Sequence, residues 1–219
     1  MRGSQLVGVR ATALTPVTYF SLPIQGGVAT LPEALPDIPI LFALAAAHGL
    51  MPAHPCLPMV PDYRGHLTQI PWRASVFMAE RPQLLPPMAQ RRTIDGEAGC
   101  HTRFTSAAKR GNFKDYFRVQ SIPPAEDGAE TGVGVFYGAI FGPNPFPRGE
   151  DSLVVRVGKN RGGMLLLERT PHDRRVRLNA YTATMFGDEL PVERYMLHTL
   201  QASPPMDFAA AEQRLARWA

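Results

Sequence analysis

The stretch LVVRVGKNRGGMLLLER, residues 153–169, constrains the fold more than any other part of the chain. Two apolar runs of strand length flank Arg156-Val157-Gly158-Lys159-Asn160-Arg161-Gly162-Gly163. Runs this short, bounded by glycine, favour burial as strands. Leu153–Val157 and Met164–Glu168 are therefore expected to pair as a hairpin whose tip carries three cations and three glycines. Glycine lets an anion approach the backbone N–H groups, and Arg and Lys add attraction to it. Asn160 is suited to a base edge or a ribose hydroxyl. Gly162-Gly163 is expected to let the chain turn without steric cost. An ordinary hairpin with a cationic tip is the plainer alternative.

The rest of the chain suits short strands. It holds 22 prolines and 19 glycines in 219 residues, which argues against a helical bundle. Gln5–Leu14 alternates apolar and polar residues and reads as a first strand. Residues 19–35 read as loop. Asp37 is placed to cap a helix running to Gly49, with Pro39 in its first turn; nearly all its faces are apolar, so it should pack on a sheet. Residues 51–73 read as proline-rich loop, and Ala74–Ala79, Tyr116–Ile122, Gly132–Phe141 and Val176–Met185 as strands. Asp207 should cap a final helix with Phe208, Ala211, Leu215 and Trp218 on one face. Residues 81–115 have little core signal and read as a projecting basic arm. The order of elements predicts one α+β domain over 1–219, an antiparallel sheet with helices on one face.

Charge is unevenly spread. Residues 91–118 hold seven Lys/Arg against three acids, and 156–177 hold seven against two. Those fourteen cations and five acids leave nine cations and fourteen acids elsewhere, since the chain has 23 and 19. Two basic segments on an otherwise acidic chain point to a polyanion, of which nucleic acid is the commonest that needs so long a stripe. A solvated basic face without a partner is the alternative.

Several chemistries have no support. There is no phosphate-binding G-x-x-x-x-G-K-[ST] motif. GVGVFYG at 132–138 lies within a strand pattern and reads as close backbone packing. Cys56 and Cys100 form neither a metal spacing nor a disulfide framework, and the six histidines show no metal-binding spacing. No metal or cofactor is expected. MRGSQLVGVRATALTP has no long apolar stretch, so no signal peptide is expected; Ile38–Met51 is too short and interrupted to span a bilayer. A cytoplasmic setting without membrane contact follows as the expectation. A metal-independent ribonuclease needs a general acid and base near the scissile phosphate, and His101, Tyr116 and Lys114 are the candidates.

A resemblance carries the reading further. VATLPEALPDIPILFAL, residues 28–44, resembles the segment leading into the first helix of the "Cas five" subunit of CRISPR Cascade complexes, a member of the RAMP superfamily. The shared features are the aromatic Tyr19-Phe20, the Pro32-Glu33 step and Phe42-Ala43-Leu44. LVVRVGKNRGG at 153–163 resembles that family's late strand and basic turn. The likeness is closest to the type I-D version, with a type IV complex as the alternative. It spans about half the chain; residues 51–73 and 119–150 depart from it, and 81–118 matches only in being an inserted thumb.

The resemblance implies a ferredoxin-like (RRM-type) core with an inserted arm or thumb over 81–115. It implies a non-catalytic RNA-binding subunit of a class 1 CRISPR effector, a ribonucleoprotein of antiviral and anti-plasmid defence. Such a subunit holds the repeat-derived five-prime handle of CRISPR RNA. Its further partners would be the backbone RAMP subunits, the large subunit, and target DNA near the protospacer-adjacent motif. Arg156, Lys159, Asn160, Arg161 and Gly162 are the expected handle contacts. Arg103, Lys109, Arg110 and Lys114 on the arm form a second RNA-binding group, with Phe113 and Phe104 able to stack on bases. Processing of precursor RNA by His101, Tyr116 and Lys114 is the enzymatic alternative, and a stand-alone basic interaction domain the second.

Overall fold

The computed structural model describes residues 5–19, 21–25, 27–50, 62–91, 116–125, 131–171 and 174–219. In chain order these form β1 (Gln5–Ala13), β2 (Leu22–Ile24), β3 (Gly27–Ala29), β4 (Ala34–Leu35), α1 (Asp37–Ala47), α2 (Tyr63–Gln69), β5 (Arg73–Ala74), β6 (Phe77–Ala79), β7 (Met88–Arg91), β8 (Tyr116–Gln120), β9 (Val135–Gly142), β10 (Ser152–Val157), β11 (Gly163–Thr170), α3 (Ala180–Met185), β12 (Arg194–Leu197), β13 (Leu200–Ala202) and α4 (Phe208–Ala216).

β1 is buried over most of its length because it is paired on both edges, antiparallel to β9 and to β11. The expected hairpin forms between β10 and β11, with Val155 opposite Leu165 and Arg156 opposite Met164. The main sheet runs β10-β11-β1-β9-β6-β4, with β5 also on β9, and every pairing is antiparallel. A second sheet runs β2-β3-β8-β7, in which β3 and β8 are parallel. β12 and β13 form a separate hairpin. The chain is thus α+β with mostly antiparallel sheets.

Helices cover both faces of the main sheet rather than one. Side chains alternate along a strand, and β1 shows it: Val7, Val9, Ala11 and Ala13 join Ile40, Leu41 and Leu44 of α1 in one core, together with Phe136, Ile140, Leu165 and Leu167. Leu6, from the intervening positions, joins Ala139 and Phe141 against Ala211, Leu215 and Trp218 at the C-terminal end. A single sheet buried on two sides needs apolar residues at successive strand positions, and β1 and β9 supply them. Gly138 of β9 fits the same demand: a Cβ there would lie 2.7 Å from the Phe77 ring.

Four local expectations are corrected. Asp37 does not cap α1; it is the first helical residue, and Pro36 holds the cap position without a side-chain hydrogen bond. Its carboxylate turns inward, where Oδ1 accepts from Asn179 Nδ2 at 2.8 Å. Residues 51–73 are not all loop, since Asp62 accepts from the Gly65 N–H and starts α2, with Leu67 buried beneath it. Residues 176–185 are not one strand: after isolated bridges at Val176, Arg177 and Asn179, the Asn179 side chain accepts from the Tyr181 N–H and opens α3. Residues 19–35 hold β2, β3 and β4, strands too short to show an alternation. The final helix is as expected, with Asp207 Oδ1 accepting from the Ala210 N–H at 2.8 Å. Among the described residues no helix is long and apolar enough to cross a membrane.

Candidate nucleic-acid interface

The β10–β11 tip is one turn of 3-10 helix, Lys159–Arg161. It is held against the segment after β1. The Lys159 N–H donates to the Thr18 carbonyl at 2.8 Å. Thr15 Oγ1 accepts from the Met164 N–H at 2.9 Å, and Leu14 N–H donates to the Met164 carbonyl at 2.9 Å. Residues 14–18 thus form a strap that fixes the tip. A threonine beside proline gives little sign in the sequence of a partner 149 positions away.

The glycines do not work as expected. Gly162 has φ −77°, ordinary right-handed backbone, and Gly163 is already in β11. The left-handed positions are Gly158, at φ 75°, and Arg161, at φ 54°. At Gly158 the cause is close approach as well as angle, because a Cβ would lie 2.6 Å from the Thr18 carbonyl oxygen. Arg161 adopts a conformation in which Cβ crowds the following carbonyl, at a cost of ~1 kcal/mol. It is the one non-glycine residue with positive φ among the described residues. Strain of this kind persists where surrounding structure enforces it, and it often marks a functional position.

Arg156, Lys159 and Arg161 are all exposed. Arg156 and Arg161 form no ion pair among the described residues. Arg156 stands on the sheet face opposite α1, since its neighbours Val155 and Val157 point into the α1 core. The Asn160 side chain lies outside the described residues.

Of the other four cations of 156–177, Arg175 is exposed and three are engaged elsewhere. Arg169 donates to Asp151 Oδ1 at 2.8 Å and to Asn144 Oδ1 at 2.9 Å. Arg174 lies 3.7 Å from the Tyr137 ring centroid and 3.4 Å from Glu80. Arg177 donates to Glu193 at 2.9 Å and to the Ser203 carbonyl at 2.8 Å. Such exposed pairs add little stability, but they commit these cations to acids. Arg169 is also six residues up β11 from Gly163, ~20 Å along the strand.

Arg103, Lys109, Arg110, Phe113, Lys114, Phe104, Cys100 and His101 lie outside the described residues. Tyr116 starts β8, and its side chain is outside them too. What is described is the pair of strands on either side of 92–115. β7 and β8 pair antiparallel from Met88↔Val119 to Arg91↔Tyr116, so the chain leaves and returns side by side. Beyond β8, Ile122 pairs with Val17, and Ser121 Oγ shares a 2.7 Å hydrogen bond with Thr18 Oγ1. The strap that fixes the basic tip therefore also holds the segment that follows β8.

Tyr19, next along the strap, sits beneath the tip. Its hydroxyl is buried beside the Gly158 backbone. Burial pushes its pKa well above the ordinary tyrosine value, and the nearby Gly158 backbone offsets only part of that. Among the described residues no group of three or more His, Cys, Asp or Glu is placed to hold a metal ion. No family model matches the chain, and no curated protein matches it.

Proposed function

We propose that the chain binds single-stranded RNA through the β10–β11 tip, as the non-catalytic subunit of a class 1 CRISPR effector that holds the five-prime handle of CRISPR RNA. The observation that carries the RNA half of this reading is the tip itself. Two threonines and a backbone contact clamp it, Gly158 lets the Thr18 carbonyl pack close against it, and a strained arginine is displayed at its end. Holding cations rigidly on a turn is how a protein contacts phosphates without reading sequence.

The CRISPR half rests on the resemblance of residues 28–44 and 153–163 to the "Cas five" family. The first of these segments forms β3, β4 and the start of α1; the second forms β10, the tip and the start of β11. A ferredoxin-like unit runs βαββαβ, and its strands lie in the order fourth, first, third, second. The order β11-β1-β9-β6, with α1 between β1 and β6, is consistent with that. The departure is the second crossover, which is β10 and loop in place of a helix. On this reading 81–115 is the thumb, and the backbone subunits, large subunit and target DNA are the neighbours.

The test is to co-express the tagged chain with its neighbouring genes, purify it, and sequence the RNA that accompanies it. Short RNAs of uniform length sharing one repeat-derived five-prime end are expected, with loss of that RNA in Lys159→Ala and Arg161→Ala. RNA of random sequence, or none, overturns the CRISPR reading.

A further inference from the structure

We infer that the cleft between the start of α1, α3 and the β12–β13 turn takes the base of one unpaired nucleotide whose phosphate rests on the β10–β11 tip. This rests on the RNA-binding reading and assigns it a second contact.

The cleft has a volume of about 630 Å³, and Tyr19, Ile38, Tyr181, Met185, Leu197 and His198 are among its walls. That is ample for a flat heterocycle, since small-ligand clefts run from ~300 to ~1,000 Å³. Two rings stand together on one side: Tyr181 and His198 have centroids 5.7 Å apart, inclined at 58°. His198 is exposed and Tyr181 half-buried, so both are available to a base. Aromatic faces of this kind hold bases of any sequence by stacking.

Tyr19 connects the cleft to the cations. Its side chain lines the cleft, while its hydroxyl lies beside Gly158 at the root of the tip. A base entering there has its ribose and phosphate directed toward Lys159 and Arg161.

The walls are also fixed in place. Asn179 donates to Asp37 Oδ1 at 2.8 Å and to the Thr199 carbonyl at 3.0 Å, and it accepts from the Gln201 N–H at 3.0 Å. That single side chain ties α1, α3 and β13 together behind the cleft. A cleft fixed in advance loses little entropy on binding. Its concave shape admits a base only when that base is unstacked, which selects a single strand over a duplex.

The test uses short oligoadenylate carrying one central 2-aminopurine, with AMP as a second probe. Wild-type protein is expected to quench the 2-aminopurine fluorescence. Tyr181→Ala and His198→Ala should abolish the quench and weaken binding about tenfold, whereas Tyr181→Phe should retain both. His198 is exposed, so its variant reports on binding even if Tyr181→Ala impairs folding. If wild type binds the oligomer and quenches equally with both alanine variants, the cleft assignment is overturned and the RNA-binding reading stands. If wild type binds no oligomer, both fall. AMP bound as tightly as the oligomer also overturns the inference, in favour of a free-nucleotide site.

Discussion

Asp37 should make the protein less stable as pH rises through the mildly acidic range. The carboxyl is fully buried. Oδ1 has its hydrogen bond from Asn179, but Oδ2 has no partner among the described residues. Burial is the main cause that raises its pKa from 3.8 to about 6, and hydrogen bonds from Thr182 and Asn179 offset part of it. An acid whose folded pKa exceeds its unfolded value binds its proton more tightly when folded. The resulting penalty is absent below about pH 4, grows as the unfolded chain ionises and the folded chain resists, and is complete above about pH 6. A displacement of about 2 pH units, at ~1.4 kcal/mol each, amounts to ~3 kcal/mol. Asp37→Asn keeps the shape and the bond from Asn179 but cannot ionise. Its amide in place of Oδ2 adds a constant cost of ~1–3 kcal/mol if left unbonded, so absolute stability is the wrong readout. The difference between variant and wild type, from urea unfolding at a series of pH values, should move by ~3 kcal/mol in favour of the variant between pH 4 and pH 7. Parallel curves for the two proteins would refute the reasoning, and would mean that Oδ2 has a partner or that water reaches it.

Three further outcomes test the tip and the core. Gly158→Ala sets a Cβ against the Thr18 carbonyl at a positive φ, and should lower stability by ~1–3 kcal/mol in thermal unfolding while weakening RNA binding. Arg161→Gly should do the opposite to stability, leaving the melting temperature unchanged or higher because left-handed strain is relieved, while RNA affinity falls and the salt dependence of binding drops by about one phosphate contact; a fall in both would show that Arg161 is structural. Arg73 is buried and donates to the carbonyls of Trp218, Ile70 and Trp72 at 2.6–2.7 Å, with its guanidinium 4.6 Å from the Phe186 ring centroid. Arg73→Met should cost ~3 kcal/mol in urea unfolding, because those carbonyls lose their donor.

What could be read in advance follows from how local each cause is. The β10–β11 hairpin and α4 were legible because their signals are contiguous: two apolar runs about a glycine turn, and Asp207 three residues before the N–H it caps. α3 was misread because VRLNAYTATM satisfies a period of two, and six helical residues are too few to contradict it. The true determinant was Asn179 as a cap, whose other partners, Asp37 and Thr199, are distant in sequence. Arg73 left no mark at all, since its partners are backbone carbonyls that any residue can supply.

Charge shows the same limit with more consequence for function. Counting along 156–177 yields a basic stripe, because a count cannot see that Arg174 is paired with Glu80, 94 positions earlier, or Arg177 with Glu193. With those pairs and Arg169–Asp151 accounted for, the tip itself presents the exposed side chains of Arg156, Lys159 and Arg161, and the exposed Arg175 lies beyond β11. A stripe would suit the regularly spaced phosphates of a duplex groove. Three cations at one clamped turn can neutralise only a few phosphates, so salt should weaken binding with a shallow slope, about one per phosphate engaged. A shallow slope together with retained binding in moderate salt requires another source of affinity. Stacking of an unpaired base supplies one that salt does not screen. On the proposed RNA-binding reading, three cations clustered at the tip favour a single-stranded ligand gripped at one point over a duplex laid along a face.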